Sequence, residues 1–168
     1  MDPELREEFI QTITRYQGIL HKVCLIYFRN ETDRKDNFQE ILYQLWKAYP
    51  DLKKKGSIGS WIYKIAINTS IVKIRKDSRY VHPGRFPEMP DSSDFLEEYT
   101  WNENVGLLIS ALQSLNDIDK SIMFLYLEER SYQEIADIIG ISVSNVGTKI
   151  SRIKSQLKNT FKTINHGK

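Results

Sequence analysis

The stretch that decides the fold is SYQEIADIIGISVSNVGTKISRIK, residues 131–154. Ser131 and Glu134 have the S-x-x-E spacing of a capping box, in which two side chains satisfy free backbone amides at a helix start. Gly140 can take the left-handed conformation that ends a helix, and Ser142 can cap the next one. The spacing therefore predicts two helices joined by a tight turn.

The two predicted helices each have an apolar face. The first is expected to bury Tyr132, Ile135, Ala136 and Ile139, and the small side chain at Ala136 lets a second helix cross closely. The second has the core stripe Val146, Ile150, Ile153, Leu157 and Phe161, and its opposite face carries Asn145, Thr148, Lys149, Arg152 and Gln156. Cations and amides on an outward face suit the major groove of DNA. The pattern favours a DNA-binding helix-turn-helix; the alternative is a bundle hairpin with a solvated face.

The charges are unevenly distributed, although the net charge is only +2. Residues 47–76 hold 8 Lys/Arg against 1 acidic residue, and residues 131–168 hold 6 against 2. Between them, residues 77–104 hold 2 against 7. Clustered cations are typical of a nucleic-acid-binding protein.

Upstream of the acidic segment, apolar residues recur with a helical period. One helix is predicted over residues 4–28, followed by a polar break at 29–37. A second runs from Phe38 until Pro50 ends it. A third is predicted over residues 58–76, with Ser57 as its N-cap. Its expected buried stripe is Ile58, Trp61, Ile62, Ile65, Ala66, Thr69 and Val72, and its expected outer face is Lys64, Asn68, Ile71 and Arg75.

Residues 77–104 contain three closely spaced prolines, break every period and are predicted to form an extended linker. After it, helices are expected around residues 105–115 and 118–129, the second capped by Asn116 or Asp117. The predicted fold is all-α: two small helical domains, residues 1–76 and 105–168, joined by this linker. The C-terminal domain is expected to have four helices and to include the helix-turn-helix.

Residues 131–158, beginning SYQEIADIIG, resemble region 4 of bacterial sigma factors of the extracytoplasmic-function (ECF) group. Residues 36–76, from DNFQEILYQLW to IVKIRK, resemble region 2 of the same group. The resemblance implies a sigma factor that binds core RNA polymerase, through the β′ clamp helices and the β flap, and directs initiation at promoters. It also implies an anti-sigma partner and no small-molecule substrate. A cytoplasmic location is expected because the single cysteine, Cys24, cannot form an internal disulfide, which fits a reducing cytosol.

The resemblance also assigns roles to residues. Polymerase binding would involve Asp36, Gln39, Glu40, Leu42, Tyr43, Leu45 and Trp46. The single-stranded minus-10 element would be held by Leu52, Lys53, Lys54, Lys55, Tyr63, Lys64, Asn68, Arg75 and Lys76. The minus-35 duplex would be read by Asn145, Thr148, Lys149, Ser151 and Arg152. Off its predicted stripe, Tyr63 is a candidate for base stacking, whereas Trp61 is expected in the core.

Two positions depart from the family pattern. The family often has Asp where this chain has Val72, and Lys or Arg where it has Gly147. Glycine costs roughly 1 kcal/mol relative to alanine inside a helix. It also removes a side chain that would touch DNA.

No sequence motif indicates an enzyme. The three histidines are scattered, the single cysteine lies in an apolar helix, and phosphate-loop, metal-binding and nucleophile motifs are not found. No catalytic residue, metal or cofactor is therefore predicted. The main alternative function is a stand-alone helix-turn-helix repressor or activator, which would bind duplex DNA without a polymerase.

Overall fold

The structure is a computed structural model that describes residues 2–52, 57–76 and 103–166, without the side chains of residues 164–166. In these ranges the chain forms seven helices and no strand. They are α1 (Pro3–Tyr27), α2 (Glu31–Leu52), α3 (Ile58–Lys76), α4 (Glu103–Gln113), α5 (Asp117–Leu127), α6 (Tyr132–Ile139) and α7 (Val143–His166). The all-α prediction is confirmed. The predicted linker lies almost wholly outside the described residues, as do Lys53, Lys54 and Lys55.

Helices α1–α3 belong to one compact unit and α4–α7 to a second. In the first unit each helix packs on the other two. Its core includes Phe9, Ile13, Leu20, Ile41, Leu45 and Ile62, all with no exposed surface. The Asp2 side chain accepts a hydrogen bond from the Glu4 amide, and Pro3 follows it, so α1 begins with a cap and a preformed first turn.

Helix α2 is longer than the sequence predicts. It begins at Glu31 because Asn30 caps it: the Asn30 Oδ1 accepts a hydrogen bond of 2.7 Å from the Asp33 amide. Pro50 does not end the helix but lies inside its last turn. The helix continues to Leu52, whose side chain is buried and so stabilises the turn beyond the proline.

Helix α3 has the predicted bounds but a different buried face. Ile62 and Ala66 are buried as expected, whereas Val72 is 48% exposed. Ile71, expected on the outer face, is buried, and so is Tyr63, which was expected to lie off the buried stripe. The reason is that α3 packs against both α1 and α2, so its buried face is wider than a single stripe and is rotated from the one that periodicity predicts.

The C-terminal unit is built around α5, on which α4, α6 and α7 pack. Ile122 and Leu125 of α5 have no exposed surface. Asn116 caps this helix as predicted, its Oδ1 accepting a hydrogen bond of 2.9 Å from the Asp119 amide. The prediction of a four-helix C-terminal fold with a helix-turn-helix is confirmed.

Candidate nucleic-acid interface

The turn between α6 and α7 is fixed by hydrogen bonds within its own sequence. Ser131 Oγ accepts from the Glu134 amide at 3.1 Å, and Glu134 Oε1 accepts from the Ser131 amide at 3.4 Å. Gly140 has φ 84° and ψ 37°, the left-handed region that favours glycine. Ser142 Oγ then accepts from the Asn145 amide at 3.1 Å. The predicted capping box, glycine turn and second cap are all confirmed.

Helix α7 is divided between core and solvent largely as expected. Val146, Ile150, Ile153 and Leu157 are buried, and Phe161 is half-buried. We call the set Asn145, Thr148, Lys149, Ser151 and Arg152 the outer face of α7. Lys149 is half-buried, and the other four are exposed. The helix therefore presents polar and cationic groups to solvent over about two turns.

Helix α6 differs from its prediction at two positions. Tyr132, expected to face inward, is 40% exposed, and Ile138 is more buried than Ile139. The Tyr132 ring instead lies over Gly147 of α7: a Cβ on that glycine would be 3.6 Å and 3.9 Å from two ring carbons. The missing side chain at Gly147 thus leaves room for the tyrosine ring.

Arg152 is held by an ion pair that the sequence does not predict. Its Nη2 donates to both carboxylate oxygens of Asp119, at 2.9 Å and 3.0 Å. The Asp119 side chain is 3% exposed and the Arg152 side chain 52% exposed. Asn116 Nδ2 also donates to Asp119 Oδ2, at 3.1 Å. A buried carboxylate on α5 therefore restrains a cation on the outer face of α7.

A second cation of α7, Lys154, is held by Tyr126. The Lys154 ammonium lies 2.6 Å from the Tyr126 hydroxyl and 4.3 Å from the centre of its ring. The hydrogen bond to Tyr126 raises the pKa of Lys154. The Lys154 ammonium group therefore stays positively charged beside the outer face of α7. The sequence analysis did not identify Lys154 as a candidate site residue.

Helix α3 also exposes a polar face. Lys64, Asn68, Val72 and Lys76 are exposed at four-residue intervals, and Arg75 is exposed beside them. Residues four apart lie on one side of a helix, so these side chains form one strip. Two predicted members of the minus-10 site lie outside this strip, because they are buried: Tyr63 is 3% exposed and Leu52 is 2% exposed. Both side chains pack in the core, so the prediction that Tyr63 offers a stacking face is wrong in this fold.

The residues expected to bind polymerase lie on two sides of α2. Asp36 and Gln39 are exposed, and Glu40, Tyr43 and Trp46 are half-buried. Leu42 and Leu45 are 1% and 0% exposed, so they support the helix from the core and present no surface to a partner. Trp46 packs edge-on against Phe9, with ring centroids 4.9 Å apart.

His21 and Cys24 both take part in the packing of the N-terminal unit. His21 stacks on Phe38 at a ring distance of 4.5 Å, and burial lowers the pKa of its imidazole. Cys24 is buried, and burial raises the pKa of its thiol to about 12. Over residues 2–52, 57–76 and 103–166 there is no cluster of three potential metal ligands. None of the helices within those ranges is long and apolar enough to cross a membrane.

Comparison with known proteins identifies both units. Residues 12–80 match the family model for Sigma-70 region 2, and residues 106–157 match the model for Sigma-70, region 4. The chain belongs to the sigma-70 family. The two regions occur in the order expected from the sequence, and α3 and the α6–α7 turn lie inside them.

The relatives of this sigma-family chain include ECF proteins. The ECF RNA polymerase sigma factor SigG of Mycobacterium tuberculosis is 29% identical over 181 residues, covering 91% of this chain and 45% of SigG. The RNA polymerase sigma factor YlaC of Bacillus subtilis is 29% identical, covering 85% of each protein. The ECF sigma-E factor of Escherichia coli is 26% identical, and the match covers 95% of this chain and 89% of sigma-E. The chain thus spans less than half of SigG but most of YlaC and sigma-E.

Solved structures agree with the fold of this sigma-family chain. The sigma factor RpoE of Bartonella quintana, solved with the anti-sigma factor NepR, has a TM-score of 0.68 at 18% identity and covers 93% of this chain and 98% of its own. CnrH, solved with the cytosolic domain of CnrY, has a TM-score of 0.66 at 20% identity. The match covers 92% of this chain and 88% of CnrH.

Two contacts at the candidate site were missed by sequence reasoning. The spacing of Asn116 and Asp119 indicates a helix cap, but nothing in it indicates a partner 33 residues away. The contact of Tyr126 with Lys154 spans 28 residues and has no local signal either. Both features depend on how α7 crosses α5, which only the folded unit defines.

Proposed function

We propose that this protein is a sigma factor that binds core RNA polymerase and directs initiation at specific promoters. The observation that carries the proposal is the pair of family matches, region 2 followed by region 4, each containing a helix with an exposed polar and cationic face. A stand-alone repressor needs only the second of these faces. The presence of both favours a protein that holds two parts of one promoter.

The outer face of α7 is proposed to read the minus-35 duplex. Asn145 can pair with adenine, and Lys149 and Arg152 can reach guanine or phosphate. Thr148 donates its hydroxyl hydrogen to the Ser144 carbonyl at 3.1 Å, so toward DNA it acts as a hydrogen-bond acceptor or a methyl contact. Ser151 is exposed and can bind phosphate.

The strip on α3 is proposed to hold the melted minus-10 strand. Lys64, Arg75 and Lys76 would follow the phosphates, and Asn68 would hydrogen-bond a base. Single strands bind where cations line a path and bases find polar or stacking partners. Lys53, Lys54 and Lys55, which precede α3 in the sequence, are proposed as further contacts. Leu52 and Tyr63 are assigned to the core beneath this surface.

The exposed side of α2 is proposed to dock on the polymerase β′ clamp helices, with the C-terminal unit on the β flap. Asp36 and Gln39 are fully available for this contact, and Glu40, Tyr43 and Trp46 are partly available. The solved complex of RpoE with the anti-sigma factor NepR supports a further proposal, that an anti-sigma protein binds and restrains this chain. Acting with polymerase, the protein would work in the cytoplasm as a regulator and not as an enzyme.

The test is runoff transcription from genomic promoter fragments with purified core RNA polymerase. Transcripts that start at defined sites only when the chain is added would support the proposal. Binding to a DNA operator without directing the core enzyme would favour a repressor instead. Gln39→Ala is the cleaner variant for the polymerase contact, because Trp46 also packs on Phe9 in the core. Gln39→Ala should reduce core binding with unchanged unfolding, and Gln11→Ala, an exposed position on α1, is its matched control.

A further inference from the structure

The Arg152–Asp119 pair makes an unusual use of the arginine. Only Nη2 of the guanidinium contacts Asp119, and it contacts both oxygens. Nε and Nη1 carry three further N–H groups for which the described residues provide no hydrogen-bond partner. More than half of the Arg152 side chain is exposed. The carboxylate therefore fixes the orientation of the guanidinium while leaving most of its donors available.

Asp119 is itself held firmly. Its side chain is 3% exposed, its backbone amide donates to Asn116 Oδ1, and its Oδ2 accepts from Asn116 Nδ2. It lies in the first turn of α5, the central helix of the C-terminal unit. A carboxylate in this setting has little freedom to move, so it can serve as a fixed reference point for a side chain on another helix.

The pair also changes what Arg152 contributes to DNA binding. A neutralised cation adds little to the general attraction for phosphates, which depends on net positive charge. Its oriented N–H groups can still bind the O6 or N7 of guanine, the most frequent specific contact of arginine. Holding the side chain in advance removes part of the entropy that a free arginine would lose on binding.

We propose that Asp119 is a positioning residue for sequence readout: it orients the Arg152 guanidinium toward a guanine of the upstream duplex element. This inference rests on the proposed function. It assigns a role to a residue of α5, outside the outer face of α7. The competing explanation is a structural latch, meaning that the Arg152–Asp119 pair only stabilises the packing of α7 on α5. It predicts that removing the pair lowers the stability of the unit without changing its base preference.

The experiment is a binding selection with the holoenzyme. Core RNA polymerase and the full chain are mixed with promoter fragments randomised across the upstream duplex element, and bound fragments are sequenced. Wild type is expected to prefer guanine at one position. Arg152→Ala and Asp119→Asn should each lose that preference, by about tenfold. Asp119→Asn should lose nothing further in the Arg152→Ala background, because the two residues act as one unit.

Charge provides a second measurement, and the guanine preference recorded beside it is the readout that a purely structural pair would not change. Asp119→Asn leaves Arg152 unneutralised, so binding to unrelated duplex DNA should become tighter and more salt-dependent while discrimination falls. Asp137→Asn is the matched control: it removes the same charge from α6, where the carboxylate accepts from Gln133. It should leave the guanine preference intact. Arg152→Lys keeps the positive charge but lacks the planar guanidinium that can donate two parallel hydrogen bonds to guanine. This variant should therefore also lose the guanine preference.

The outcomes are distinguishable. If Asp119→Asn retains the preference that Arg152→Ala loses, the positioning role is overturned. If both variants unfold more easily but keep wild-type preference, the pair is only a latch and the inference is again overturned. If wild-type holoenzyme shows no preference anywhere in the element and starts no defined transcript, the proposed function fails first and the inference fails with it.

Discussion

At the scale of single residues, Gly147 shows how one missing side chain alters a surface. The glycine is helical, and a Cβ there would meet the Tyr132 ring at 3.6 Å, an ordinary contact distance. Gly147→Ala should therefore raise the free energy of unfolding of the C-terminal unit by about 1 kcal/mol, since alanine favours the helix. Urea denaturation followed by circular dichroism measures the change.

Gly140 provides the control for this prediction. Its φ of 84° is unfavourable for any residue with a Cβ, although the space around it is open. Gly140→Ala should lower the free energy of unfolding by about 1–2 kcal/mol. Equal effects of the two substitutions would contradict the assignment, because the backbone conformation is the feature that separates them.

Cys24 provides a probe of the other unit. Burial raises the pKa of its thiol to about 12, well above that of a free thiol, so almost no thiolate is present at pH 8. A thiol reagent at that pH should label the native protein very slowly and the denatured protein at once. As the pH rises from about 9 toward 12, only the unfolded chain gains thiolate, so stability should fall over that window. Rapid labelling at pH 8 without denaturant would disprove the buried assignment.

At the scale of helices, Asn37 joins the three helices of the N-terminal unit. This fully buried residue of α2 donates from Nδ2 to Ser70 Oγ on α3 at 2.8 Å and to Cys24 Sγ on α1 at 3.4 Å. Ser70 uses its own hydrogen on the Ala66 carbonyl at 2.7 Å, so its oxygen is left to accept. The donors and acceptors of these three bonds are therefore consistent, whereas the buried Asn37 Oδ1 has no hydrogen-bond partner among the described residues.

Removing the Ser70 hydroxyl tests this cluster. Ser70→Ala takes away the principal acceptor of a buried amide and should lower the free energy of unfolding by about 1–3 kcal/mol. The exposed Thr32→Ala on α2 is the control and should change stability by less than about 0.5 kcal/mol. Replacing Asn37 by leucine in the Ser70→Ala protein should recover part of the loss, because no unsatisfied amide then remains.

The same scale shows what the sequence could and could not predict. The start of α6, the turn at Gly140 and the cap of α7 depend on bonds between residues at most five apart, and all were predicted. The rotation of the buried face of α3 away from the predicted stripe was not predicted, because it depends on simultaneous packing against α1 and α2. For the same reason Tyr63 was assigned to the surface. The Arg152–Asp119 pair was missed because it joins helices far apart in sequence.

At the scale of the whole molecule, substitutions in the two proposed DNA-binding faces should impair different steps of initiation. Lys149→Ala in α7 should weaken capture of duplex promoter DNA by the holoenzyme. Asn68→Ala in α3 should leave duplex capture intact but reduce strand opening, since its proposed contact is with an unpaired base. Filter binding measures capture, and permanganate reactivity of unpaired thymines measures opening.

The control for this comparison is Gln11→Ala on α1, which should change neither step. If Asn68→Ala and Lys149→Ala both reduced capture and left opening unchanged among bound complexes, the proposed division between the units would be wrong. Both substitutions are at non-core positions, so circular dichroism should show native helix content in each case.

The turn of the helix-turn-helix is shaped by Ser131, Glu134, Gly140 and Ser142, and none of these residues belongs to the outer face of α7. The residues that fix the turn and the residues proposed to read the promoter therefore occupy separate positions. A library varied only at residues 145, 148 and 151 would keep its architecture while its members acquired new DNA preferences. If the proposed readout holds, such variants would each direct transcription from a different set of promoters.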